Sequence, residues 1–151
     1  AGIAHLAWQG DSLRVVLGGS GHPPAAVLRS DGRVLMASGG GLPLGLFPDA
    51  EPATQELALD DGDILFLYTD GVAQARGPDN TYFQDRLADE LAALAGREPE
   101  DVVALMRRAM NDFTGVHYVD DVTMLVMRAS RGDTRAGQRD RRRAASRRTP
   151  E

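Results

Sequence analysis

"DILFLYTDGVAQAR", residues 63–76, is the stretch on which the fold turns. Ile64 to Thr69 are apolar or hydroxyl-bearing, a composition that suits a buried strand. The run stops on Asp70, and Gly71 follows at once. A core strand thus delivers a carboxylate at its end, on a backbone free enough to turn sharply.

Working upstream, "ATQELAL" (53–59) and "DILFLYT" (63–69) flank the turn signal "DDGD", and together they predict a hairpin. "AAVLRSDGRVLMAS" (25–38) predicts a second hairpin with Asp31-Gly32 at its tip. Residues 3–8 and 12–18 predict another around "QGDS". "GGSGHPP" (18–24) and "GGGLPLGLFPDAEP" (39–52) read as loops. Downstream the period changes. Phe83, Leu87, Leu91 and Leu94 recur at helical spacing, as do Val102, Met106, Ala109, Met110 and Phe113 after Pro99. Two amphipathic helices are expected at about 83–95 and 99–113, Pro99 suiting a first-turn position. "VTMLVMR" (122–128) returns to strand. Strands first, then helices, then a last strand is an α+β order with mainly antiparallel pairing.

Composition narrows the class. The 151 residues suffice for one domain with a real core. No cysteine is present, which excludes disulfides and thiolate metal sites. No apolar run reaches the roughly 18 residues of a membrane span, and no signal peptide is visible. Residues 131–151 hold eight Arg and three acids, while the rest hold nine Arg and nineteen acids. Apolar residues all but vanish after Arg128, so residues 129–151 are expected to be a disordered Arg-rich tail behind a domain at 1–128. No aromatic interleaves the tail's arginines, so nucleic-acid binding is not expected.

Two acidic sites abut apolar strands: Asp70 ends one, and Asp120-Asp121 begins another. If those strands are antiparallel neighbours, the carboxylates converge on one sheet edge. Converging carboxylates repel unless a cation sits between them, and hard ions such as Mg²⁺ and Mn²⁺ prefer such ligands. Plain turn chemistry also explains Asp-Gly and Asp before a strand. His22 reads either as a loop histidine before Pro-Pro or as a general acid or ligand. "GGSGHPP" is neither a nucleophile elbow nor a P-loop.

Four pieces together, "GSGHPPAAVLRSDG", "GLPLGL", "LDDGDILFLYTDGVAQAR" and "DDVTMLVMR", resemble in order the C-terminal part of a bacterial PP2C-type (PPM) serine/threonine phosphatase of the SpoIIE-like, stress-response subgroup. The resemblance covers roughly residues 3–128. It implies a partial β-sandwich flanked by helices in α-β-β-α layers. It implies two Mn²⁺ or Mg²⁺ ions, with Asp70 and Asp120 as metal ligands and Asp121 as a second-ranked one. His22 becomes an active-site neighbour, and the reaction is hydrolysis of phosphoserine or phosphothreonine. The implied substrate is a phosphoprotein, an anti-sigma-factor antagonist, in the cytoplasm. A homodimer of the full-length form is compatible with the reading.

The resemblance also implies an upstream "GD-x-x-GHG"-like motif whose Asp bridges both ions, and nothing of that kind precedes Gly18. The chain lacks an initiator methionine and opens inside an expected strand. It is therefore expected to be an incomplete fragment, inactive alone. The competing reading is a non-catalytic, phosphatase-like module that binds a partner.

Overall fold

In a computed structural model, residues 2–37, 41–43, 45–47 and 53–131 are described. The elements run β1 (Gly2–Gln9), β2 (Ser12–Gly19), β3 (Ala26–Leu28), β4 (Val34–Met36), β5 (Ala53–Leu59), β6 (Ile64–Tyr68), α1 (Asp70–Ala73), α2 (Gln84–Ala92), α3 (Pro99–Thr114) and β7 (Met124–Arg128). All strand pairing is antiparallel, in a three-stranded sheet ordered β1-β2-β5 and a four-stranded sheet ordered β4-β3-β6-β7. The α+β class expected from the order of periodicities is the class observed.

The apolar run in β6 has a simple cause. Side chains on a strand alternate between faces, and both faces of β6 are covered. Ile64, Phe66 and Tyr68 join Ala26 and Leu28 beneath the helices. Leu65 and Leu67 point the other way and join Val27, Val15, Leu17 and Leu59 between the two sheets. A strand with no wet side has no place for polar residues. Full burial of a side chain such as Phe66 contributes roughly 1.5–3 kcal/mol. β5 lies at an edge and alternates instead, with Leu57 and Leu59 inward and Glu56 outward beside Arg14.

Two of the three expected hairpins form, β1–β2 and β3–β4, with Gly10 and Gly32 at positive φ in their turns. The third does not. β5 pairs with β2, and β6 pairs with β3 and β7, so "DDGD" carries the chain from one sheet to the other. Asp63 is the reason. The residue is 1 % exposed. It accepts bonds from the Arg29 guanidinium at 2.7 Å and the backbone N–H groups of Ser30 and Asp60 at 2.9 Å each. Those bonds tie the turn to the end of β3 rather than letting it close a hairpin.

Helices α2 and α3 lie near their expected bounds. Leu87 and Leu91 of α2, and Val102, Met106 and Met110 of α3, form the buried stripes. Pro99 occupies the first turn of α3, and Gly115 ends it in the left-handed conformation. All three helices pack on the four-stranded sheet. Among the described residues the layers are therefore β-β-α, three of the four that the resemblance implied. The packed chain also runs past Arg128. Ala129 is buried, its N–H donates to the Asp63 carbonyl at 2.8 Å, and the Arg131 N–H donates to Asp61 at 2.9 Å. Residues 132–151 of the expected tail lie outside the described residues.

Candidate functional site

β6 and β7 are antiparallel neighbours, with Tyr68 opposite Met124. The end of one is therefore beside the start of the other. Beyond Tyr68 the pairing continues through Thr69, whose N–H donates to the Thr123 carbonyl at 3.1 Å. The Thr69 hydroxyl donates to the Asp121 carbonyl at 2.9 Å and accepts from the Thr123 N–H at 3.0 Å. Asp70 then opens the short helix α1. Gly71 lies so close to the second segment that an added Cβ would stand 2.3 Å from the Asp121 carbonyl oxygen and 3.3 Å from that of Asp120.

The structure thus brings the backbones of Asp70-Gly71 and Asp120-Asp121 into contact. All three aspartates are exposed. None forms an ion pair among the described residues, although seven other ion pairs occur there. Asp120 accepts a bond from the Asp121 N–H at 2.7 Å. Carboxylates without an ion-pair partner are the donor type that hard divalent ions take, so the residues fit such an ion in kind. In number they fall short of a cage: among the described residues, no group of three or more His, Cys, Asp or Glu side chains is placed to hold one.

His22 sits elsewhere on the same end of the sandwich. A cavity of about 200 Å³ opens between the sheets, lined by His22, Pro23 and Leu17 on one side and by Tyr68, Thr69 and Thr123 on the other. The His22 Nδ1 lies 3.0 Å from the Pro23 carbonyl. A carbonyl only accepts, so in the neutral ring Nδ1 carries the proton and Nε2 keeps its lone pair. The ring packs on Gly2, where an added Cβ would come within 3.2 Å of it. Burial pushes the Tyr68 phenol up to about 12.

The two loop motifs also meet. The Gly21 N–H donates to the Gly41 carbonyl at 3.1 Å, and the Ser20 hydroxyl bonds to the Leu42 carbonyl. Sequence reasoning missed Thr69 and Asp63, and read Gly71 only as a turn residue. The Thr-Asp-Gly triplet was legible, but only the strand pairing shows what the residues on either side of Asp70 touch. Arg76, at the end of the same motif, holds its own loop through Asn80 at 2.7 Å and the Tyr82 hydroxyl at 2.9 Å.

Residues 4–130 match the family model of Stage II sporulation protein E (SpoIIE). The chain belongs to the SpoIIE family. Among curated proteins it is 29% identical over 109 residues to Protein IcfG of Synechocystis, an alignment covering 72% of this chain and 17% of IcfG. Among solved structures, the phosphatase domain of SpoIIE from Bacillus subtilis, Mn presoaked, superposes with a TM-score of 0.68 at 17% identity, covering 87% of this chain and 57% of that one. The catalytic domain of the serine threonine protein phosphatase PstP, in complex with 2 manganese ions, gives 0.53 at 17% identity over 85% and 58%. The SpoIIE-family chain therefore has part of the architecture of a PP2C phosphatase domain. It spans less than two thirds of the length of each of these relatives. No helix among the described residues is long and apolar enough to cross a membrane.

Proposed function

We propose that this chain supplies part of the active site of a metal-dependent protein serine/threonine phosphatase, with Asp70 and Asp120 as ligands to Mn²⁺ or Mg²⁺. The observation that carries the reading is the meeting of two unpaired acidic segments where β6 ends and β7 begins. Asp121 is the second-ranked ligand, as the resemblance implies. His22 is a neighbour that lines the cavity beside Thr69 and presents Nε2 as an acceptor. Divalent ions held there would supply Lewis-acid chemistry, offsetting charge on phosphoryl oxygens and making water more acidic. The protein's own task is to hold the carboxylates apart at a set spacing and leave them free of arginines. PstP with two manganese ions and the Mn-presoaked SpoIIE domain support the choice of metal and the count of two.

The substrate class is a phosphoserine or phosphothreonine protein, an anti-sigma-factor antagonist, in the cytoplasm. Because the chain spans 57% of the SpoIIE phosphatase domain it resembles, residues 1–151 alone are proposed to be inactive. The test is a phosphopeptide assay in Mn²⁺ on the full-length protein and on this chain. Asp70→Asn and Asp120→Asn in the longer protein are expected to cost at least the roughly 10–100-fold that loss of a supporting residue costs. Full activity in either variant defeats the ligand assignment. Robust activity of residues 1–151 defeats the fragment reading.

One observation favours a second reading, a non-catalytic module that binds a partner: the absence of a closed ligand cage among the described residues. The same assay separates the two. A full-length protein with no Mn²⁺-dependent hydrolysis supports the module.

A further inference from the structure

Asp70 opens α1 and Asp120 lies in the connection between α3 and β7, so anything held by both depends on what sets their separation. Two residues between them bear on it. The Thr69 hydroxyl uses its one proton on the Asp121 carbonyl and a lone pair on the Thr123 N–H. It bonds in both directions and is satisfied in both. Gly71 acts by what it lacks, since a Cβ there would lie 2.3 Å from the Asp121 carbonyl oxygen and 2.9 Å from its carbon. Both neighbours are backbone atoms, which cannot swing aside as the end of a flexible side chain can.

We infer that Thr69 and Gly71 are positioning residues that fix the spacing between the Asp70 turn and the Asp120-Asp121 segment. Thr69 pulls the second segment in, and Gly71 leaves room for it. For its consequence the inference rests on the metal reading above. The geometry also separates positioning from folding. The Thr69 N–H still pairs with the Thr123 carbonyl whatever the side chain is. The hydroxyl alone reaches the Asp121 carbonyl among the described bonds. Thr69→Val keeps the shape and the β-branch but removes both hydroxyl bonds. Thr69→Ser keeps both.

The experiment is Mn²⁺ titration of the full-length protein, read as loss of the free-ion electron paramagnetic resonance signal, with thermal melts alongside. Thr69→Val is expected to weaken Mn²⁺ binding roughly tenfold, and Thr69→Ser to stay within about twofold of the unmutated protein. Gly71→Ala is expected to weaken it more than Thr69→Val does. Hydrogen exchange at the Thr123 amide is expected to quicken in Thr69→Val and not in Thr69→Ser. Unchanged Mn²⁺ affinity in Thr69→Val overturns the inference, as does a Thr69→Ser variant as weak as Thr69→Val. If Thr69→Val fails to fold, Gly71→Ala decides, and unchanged affinity there overturns it. Absence of Asp70-dependent Mn²⁺ binding in the unmutated protein sinks the metal reading itself and this inference with it. That failure is recognisable because it needs no variant at Thr69.

Discussion

β6 carries an aspartate just beyond each end, and the two have opposite surroundings. Asp63 precedes the strand, is 1 % exposed, and is held by Arg29 and two backbone N–H groups. Asp70 follows it one residue further out, is exposed, and has no cationic partner among the described residues. The same side chain thus does two jobs. A buried carboxylate must be paired and hydrogen-bonded to exist at all, and the pairing spends its bonding capacity on the fold. An exposed carboxylate with no ion-pair partner keeps that capacity free, and the proposed metal reading draws on it.

The sharpest way to break this comparison is Asp63→Ala. It takes the acceptor from two backbone donors and from the Arg29 guanidinium, which keeps its bond to the Ala58 carbonyl and some contact with water, so we expect a loss of about 2–3 kcal/mol in chemical denaturation. A loss below about 1 kcal/mol would mean that Asp63 is no more structural than a surface turn residue.

Asp70→Asn is the complementary case. Its expected effect on stability without metal is within about 0.5 kcal/mol, while any Mn²⁺-induced rise in melting temperature disappears. A variant that melts early without metal would place Asp70 among the structural aspartates.

Asp31 sharpens the middle ground, being partnered yet exposed. The Arg33 backbone N–H, and then the Arg33 guanidinium, hold its carboxyl below the ordinary value of 3.8. A group with a lowered folded pKa contributes stability that is present above its unfolded pKa and lost as pH falls through the folded one. Asp31→Asn is therefore expected to lower stability slightly at neutral pH, and that small difference is expected to vanish as pH falls below about 4, so the acid side of the stability curve flattens. A large change at pH 7 would show that exposure does not weaken such a pair as it should.

Much of the fold could be read locally. The helices follow from apolar residues at helical spacing, because one face of a helix meets the core and the other meets water. The hairpin turns at Gly10 and Gly32 follow from positive φ, which glycine adopts without strain. The convergence of Asp70 with Asp120-Asp121 was legible only conditionally. It needed β6 and β7 to be neighbours, and 55 residues separate Met124 from Thr69 in sequence. Strand patterns tell which faces are buried and not which strand lies alongside.

By itself, the sequence determined the class of each element, the buried faces of β6, α2 and α3, and the presence of a carboxylate at the end of a core strand. All of these depend on neighbours a few residues away. That "DDGD" joins two sheets instead of closing a hairpin is settled by long-range contacts, because the outcome hangs on Asp63 reaching Arg29 and Ser30, more than thirty residues distant. Only the tertiary structure decided that Thr69 and Gly71 face the Asp121 carbonyl, since a hydroxyl's partner and the room for a missing Cβ are properties of whichever chain packs opposite.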